Sequence, residues 1–420
     1  MSQVPEERST ATESTPRDIR STAQPTRRPV NPRAGWVSAA VVVHTLWTSA
    51  APALVYRLYA QEWHLSHTVT AGIFAIYPIV VVAVLIGFGS VSDYVGHRVT
   101  MLAGVAASLV GTLIFALAPN AAWLFAARAF MGVGVGLSAG PSSAAIVEYG
   151  AAGATKHAAF VTNLSQAAGV AAAMLLGGAL IEYAPWPTRL SFWVLAVYLS
   201  GLWASVWLLP RRQGGATQGW RARLPYVPKA QRRSFAIPVV AMMTAYTQGV
   251  LVFSMGGQVA HDLVQSSNTL VNGAVLSVFA VISAMVSLVS RSLFTRTAIA
   301  LGAVASGIGM GLLALAVSSH SLPVFLCSLA TAGSGYGLLF SGATELTSVA
   351  APPLHRGGMF STLYLFAYLS LGSVAIALGS VATAKSLMFA LNLGAATIGA
   401  LSLGALVLLA STFRTTANPS

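Results

Sequence analysis

Three sets of residues in this chain could do chemistry, and they stand out because nearly everything around them is apolar. The first is a polar hairpin, Gly87-Phe88-Gly89-Ser90-Val91-Ser92-Asp93-Tyr94-Val95-Gly96-His97-Arg98, which puts an acid, a glycine and a base between two long uncharged runs. Gly89 lets the preceding segment approach a neighbour closely, and Gly96 permits a tight turn. The carboxylate of Asp93 suits a helix N-terminus, where unpaired amides and the macrodipole favour negative charge. The plain alternative is an ordinary charged turn. The second set comprises lone charged or titratable groups in or at the ends of apolar runs: His44, Arg128, Glu148 and Glu345. His44 lies about 12 Å beyond Trp36 along a helix, where a histidine can carry a proton or simply be hydrogen-bonded within a bundle. The third set is Asn163 and Gln166, which share a helical face with Gly169, then Tyr246 and Gln248, and Tyr364 and Tyr368. Amides and tyrosines suit a cavity for amphipathic organic molecules, and they serve equally as glue and packing between helices.

The elements that must position these groups follow from composition. The chain has 420 residues, 55% hydrophobic and 8% charged, with mean hydropathy +0.73. A soluble domain carries roughly a quarter charged residues, so most of this surface must face a lipid bilayer. A span needs about 20 apolar residues. Uncharged runs meet that length at 34–56, 65–92, 99–127, 129–147, 157–181, 190–210, 234–261, 263–290, 357–384 and 386–413. The run 297–344 is too long for one span, and the turn Ser318-Ser319-His320-Ser321-Leu322-Pro323 divides it. Pro119-Asn120 likewise closes the third span and opens the fourth. Twelve spans result.

Charge fixes the expected orientation. Of 23 Lys and Arg, six lie in residues 1–33 and seven between Arg211 and Arg233. Counted by loop, nineteen fall on one side, three (Arg57, Arg189 and Lys385) on the other, and Arg128 lies near the start of the fourth span. This is the positive-inside pattern rather than a nucleic-acid surface, and it predicts cytoplasmic termini and linker. The expected division is a disordered tail over 1–33, a six-helix bundle over 34–210, a basic linker over 211–233, a second bundle over 234–413 and a tail over 414–420. The first 33 residues hold four acids and five prolines and no apolar core of a signal peptide. A single cysteine, Cys327, excludes an internal disulfide. A shift of about 199 residues lays Lys156-His157 on His355-Arg356, a faint repeat of the kind that relates two parallel halves. No phosphate loop, HExxH, GxSxG or paired-carboxylate pattern occurs, so neither enzyme chemistry, metal nor cofactor is implied.

The pattern G-x-x-x-D-x-x-G-x-R at Gly89, Asp93, Gly96 and Arg98 resembles the loop between the second and third helices of major facilitator superfamily transporters. The resemblance implies an all-α integral membrane protein with twelve helices in two pseudo-symmetric six-helix bundles. It also implies that Asp93 and Arg98 form a cytoplasmic latch, with Asp93 against the eleventh helix, which begins at Gly357-Gly358. Glu148 is expected to join both in one charge network. His97 stands where the family often has a basic residue. The segment around Arg128, followed by Gly132, Gly134 and Gly136, resembles the family's fourth-helix motif, where the Arg is associated with proton coupling. An Arg inside a span costs roughly 3 kcal/mol on insertion scales, which marks a functional candidate; the alternative is snorkelling to the interface. Because a guanidinium cannot release a proton, Arg128 would act on a partner: His44, or Glu345 in the second half, which is otherwise an interfacial ion-pair residue. At Gly169–Gly178 the outer glycines match the antiporter pattern G-x-x-x-G-P-x-x-G-G, but Ala173 and Met174 replace its Gly-Pro core.

With few fixed charges to bind a sugar acid or phosphate, the expectation is proton-coupled export of a small organic compound by a monomer in the cell inner or plasma membrane. Proton-coupled uptake of a nutrient is the alternative within the class. A membrane sensor that keeps the fold without transporting is the alternative outside it, since the Gly-Pro pair and a midplane carboxylate are both missing.

Overall fold

The computed structural model describes residues 31–65, 67–150, 155–210, 227, 232–255, 259, 263–266, 268–352 and 355–417. Most of the expected tail and linker thus lies outside the described residues. The described chain is helical throughout. Eleven helices are long and apolar enough to cross a membrane, and a shorter apolar stretch, Gly72–Phe88, makes a twelfth.

The first half comprises α1 (Pro32–Ala50), α2 (His67–Phe88), α3 (His97–Ala116), α4 (Ala121–Tyr149), α5 (Thr155–Ala171, continued to Tyr183) and α6 (Leu190–Trp207). The second comprises α7 (Arg232–Val250), α8 (Thr269–Ser290), α9 (Thr295–Ser318), α10 (Leu322–Ala350), α11 (Arg356–Ala384) and α12 (Leu387–Ala417). Helix starts are written locally. Asn31 accepts from the Ala34 amide with Pro32 just inside the helix, and Asn120 accepts from the amides of Ala122 and Trp123. α4 therefore opens at Ala121, just after Pro119-Asn120, and Arg128 lies two turns inside it. The uncharged run breaks at Arg128, but the backbone breaks at Pro119. α1 likewise outruns its expected end, passing through a 3-10 turn at Ala51–Leu54 into a short helix, Tyr56–Glu62. α12 runs on to Ala417, inside the expected tail at 414–420.

Within each half the same neighbours meet: α3 with α4, α2 with α4, α1 with α4, α3 with α6 and α1 with α5, repeated as α9 with α10, α8 with α10, α7 with α10, α9 with α12 and α7 with α11. The repeat reaches individual residues. At the α3–α4 crossing Gly104 and Ser108 meet Gly134, and at the α9–α10 crossing Gly302 and Ser306 meet Gly335. Small residues let these backbones touch where lipid supplies no hydrophobic drive. The halves join along α2–α11, α4–α11, α5–α8 and α5–α10.

Two irregular turns interrupt helices that face the interior. α5 passes through a π turn at Ala172–Leu176 before resuming at Gly177–Tyr183, and α7 ends in another at Leu251–Met255. The first coincides with the position where Ala173 and Met174 replace the Gly-Pro pair.

Candidate functional site

Two places where the halves meet concentrate the polar chemistry. On the face that bears the loop between α2 and α3, a short helix, Val91–Val95, carries Asp93. Gly96 ends it at φ 88, a left-handed conformation that suits glycine, and α3 restarts at His97. Asp93 Oδ1 accepts from the Gly357 amide and Oδ2 from the Gly358 amide, both at 3.0 Å. These are two of the unpaired donors at the start of α11, so the carboxylate caps a helix of the opposite half. Burial pushes the Asp93 carboxyl above the usual carboxylate range, opposed by the Gly358 amide, His97, the Gly357 amide and His355. Gly89 sits where a Cβ would come within 3.1 Å of Ser361 on α11.

Arg98 does something else. Its guanidinium donates to the carbonyls of Val206, at 3.4 Å, and Trp207, and lies 5.5 Å from the Trp207 ring centre. It thus closes the C-terminus of α6 within its own half, where unpaired carbonyls attract a cation. Glu148 pairs at 3.3 Å with His97. The network therefore runs Glu148–His97 beside Asp93, with Arg98 directed to α6, because side chains on consecutive residues of α3 leave the helix about 100° apart.

The second place is a cavity of about 950 Å³ of empty space, its open mouth included, between the halves. Its walls come from the far portions of α1, α2, α4, α5 and α7 and the middle of α8, α10 and α11, so it lies away from the Asp93 contact. Tyr77, Tyr246, Tyr336, Tyr368, Phe74 and Phe279 supply most of the aromatic lining. At its floor Gln166 is a hub: its Nε2 donates to the hydroxyls of Tyr246, at 3.3 Å, and Tyr364, at 3.5 Å, while its Oε1 accepts from Tyr336 at 3.0 Å. Tyr364 shares a further hydrogen bond with Ser143 at 2.9 Å, and Tyr77 with Tyr368 at 3.4 Å. Four helices of both halves are tied through one amide.

Arg128 is the sole charged residue lining the cavity among the described residues. It is 1% exposed, its Nη1 donates to the Ser49 carbonyl at 3.3 Å, and its guanidinium stacks 4.3 Å over the Tyr77 ring. It does not snorkel to an interface.

His44 is fully buried between α1 and α3, with Nδ1 2.6 Å from the Val41 carbonyl and Nε2 3.1 Å from Ser108 Oγ, and it does not line the cavity. Asn163 donates to the Ser283 carbonyl at 3.0 Å and joins α5 to α8; Gln248 donates to the Ala332 carbonyl at 2.7 Å and joins α7 to α10. Both are interhelical ties rather than lining. Tyr364 stands one layer behind the wall, whereas Gln166, Tyr246 and Tyr368 form it. Glu345 is half-buried near the end of α10. Sequence reasoning misses Tyr77 and Tyr336. A signal for Tyr336 exists: one large polar ring in the run Gly333-Ser334-Gly335-Tyr336-Gly337 must occupy the space its neighbours leave.

A family model described as Major Facilitator Superfamily matches residues 36–380. The chain belongs to the major facilitator superfamily. Its members are membrane transporters rather than enzymes, and this chain is a multi-pass membrane transporter with their fold. In a solved structure, the human organic anion transporter MFSD10 (TETRAN) is similar over 91% of this chain and 100% of that one, with TM-score 0.69 and 16% identity. Among curated proteins the multidrug efflux pump LfrA of Mycolicibacterium smegmatis is 32% identical over 174 residues, 40% of this chain and 34% of that protein. The match thus spans about a third of that relative's length.

Proposed function

We propose that this transporter exports a small amphipathic organic compound by secondary active transport driven by the proton gradient. The observation that carries the reading is the pairing of a closed face with a cavity on the other side of it. The Asp93 carboxylate joins the two halves at the start of α11, while the aromatic cavity lies beyond it. With the Lys/Arg-rich face in the cytoplasm, this arrangement is the state from which a compound is released outward, and Asp93 is the latch of that state. The likeness to a multidrug efflux pump supports export.

For coupling, His44 is the titrating group of the first half and Glu345 that of the second. Arg128 supplies the fixed charge in the cavity wall through which protonation and substrate binding are linked. The apolar, aromatic lining fits amphipathic organic molecules better than sugars or phosphates.

Everted membrane vesicles test this. With an imposed proton gradient, vesicles holding the protein should accumulate a fluorescent amphiphile drawn from a compound panel, and an uncoupler should abolish accumulation. His44→Gln should lose uphill accumulation and retain exchange of internal for external compound. Accumulation only in right-side-out vesicles would reverse the direction. Unchanged pH dependence in both His44→Gln and Arg128→Gln would move the coupling role to Glu345.

A further inference from the structure

Among the described residues the cavity carries one charge, and that charge is incompletely satisfied. Arg128 Nε is buried with no hydrogen-bond partner, while Nη1 reaches only the Ser49 carbonyl at 3.3 Å and the Tyr77 face holds the guanidinium by a cation–π contact at 4.3 Å. Neither a carbonyl nor a ring face neutralises a buried cation, and an unpaired buried charge is costly. No aspartate or glutamate lines this cavity among the described residues. The rest of the lining is aromatic or aliphatic, with neutral hydroxyls and amides that are largely engaged with one another.

From this arrangement we infer that the site takes organic anions: an aromatic or aliphatic body bearing a single carboxylate or sulfonate that pairs with the Arg128 guanidinium. The inference rests on the transporter reading and deepens it. A planar guanidinium offers several donors in a fork that matches a carboxylate, and the free Nε is one of them. An amphipathic cation would be desolvated beside Arg128 with no counter-charge, so like-charge repulsion adds to its cost. A neutral molecule would gain the apolar lining but leave Arg128 as it is.

A matched trio of fluorescent probes separates the classes: 2-naphthylacetic acid, 2-naphthylacetamide and 2-(2-naphthyl)ethylamine, which share a ring system and differ in charge. Binding to the purified full chain at one pH, with no gradient imposed, keeps the result independent of coupling. The acid should bind at least about tenfold more tightly than the amide, the scale of a charge-assisted hydrogen-bonded pair, and the amine should bind most weakly. Arg128→Gln should erase the preference. Arg128→Lys, which keeps the charge and loses the fork, should retain part of it and controls for folding. Equal binding of acid and amide, or tighter binding of the amine, overturns the anion assignment. Vesicle transport of the same trio then separates the two readings: movement of the amide or amine without preference for the acid leaves a transporter that is not anion-selective, whereas failure of all three to bind and to move overturns both.

Discussion

Arg98 and Asp93 share one loop and serve different partners. Asp93 holds the opposite half through two amides; Arg98 holds the end of α6 in its own half. Their substitutions should therefore be distinguishable. Asp93→Asn places an NH2 group where a backbone N–H needs an acceptor and replaces two charge-assisted bonds between the halves by one neutral bond, so transport should fall sharply while the thermal midpoint of the purified protein changes little. Arg98→Ala removes a buried guanidinium from two carbonyls and a tryptophan face, at a cost on the order of 2 kcal/mol, and should lower the thermal midpoint first. Equal midpoints for both variants would contradict the division. Gln166 gives a third test at this scale. Gln166→Leu strands the hydroxyls of Tyr246 and Tyr336 in the protein interior and leaves Tyr364 with Ser143 alone, so the midpoint should fall by more than for Tyr336→Phe, which removes one bond of the same cluster. The chemical character of these positions is legible in the amino-acid order; their partners are not. Nearness along the chain suggests Arg98 beside Asp93, and polarity alone suggests Asn163 and Gln248 in the cavity. Direction around a helix decides otherwise.

At the scale of elements, the start of α11 is shaped for a carboxylate and for little else. A Cβ at Gly357 would come within 2.3 Å of Ser92 Oγ and 2.7 Å of Asp93 Oδ1, and one at Gly358 within 2.8 Å of Asp93 Oδ2. Gly357→Ala should then hold the contact open. With Cys327 replaced and spin labels on α3 and α11 at the Asp93 face, the variant should show a longer distance distribution than the parent, and an unchanged distribution would contradict this. The opposite face has a related contact: Glu182 Oε2 accepts from the Thr269 amide at 2.9 Å, and Asn268 donates to the Tyr183 hydroxyl at 2.8 Å, so a carboxylate of the first half again meets the start of a helix in the second. This one is exposed to water, where such a contact is worth about 0.3–1 kcal/mol, so Glu182→Gln should affect transport less than Asp93→Asn. Helix number and most boundaries are legible from apolar runs, caps and prolines. The π turn in α5 is not, because its residues, Ala172–Leu176, are ordinary helix formers and the backbone adapts to packing against α8.

At the scale of the whole molecule, the two halves repeat the same internal neighbours, at which the faint sequence offset already hints, while the residues that matter are asymmetric. Asp93 has no acidic counterpart in the second half, and Arg128 has none in α10. Such a division suits a machine in which similar scaffolds rock against each other and only one carries the fixed charge. A cysteine placed at Arg221, with Cys327 replaced, should resist an impermeant maleimide in intact cells and react once membranes are opened, the outcome expected if the side that carries nineteen Lys and Arg is the cytoplasmic one. Labelling from outside would invert the direction assigned to every step.

The wide turn at Ala172–Leu176 acts as a rotational offset. A π turn holds one residue more than the helix around it, and each residue turns an α-helix by about 100°. The stretch Gly177–Tyr183 is therefore rotated relative to the face on which Asn163 and Gln166 lie. That rotation lets one helix aim Gln166 into the cavity, seat the Met174 carbonyl where a Cβ on Gly273 would come within 2.6 Å, and still deliver Glu182 to the Thr269 amide. Deleting a single alanine from the turn would restore a regular helix, with no residue of the seam changed in type. It would also swing the last turn of α5 away from α8. The far contact thus depends on a count of residues that no individual side chain encodes.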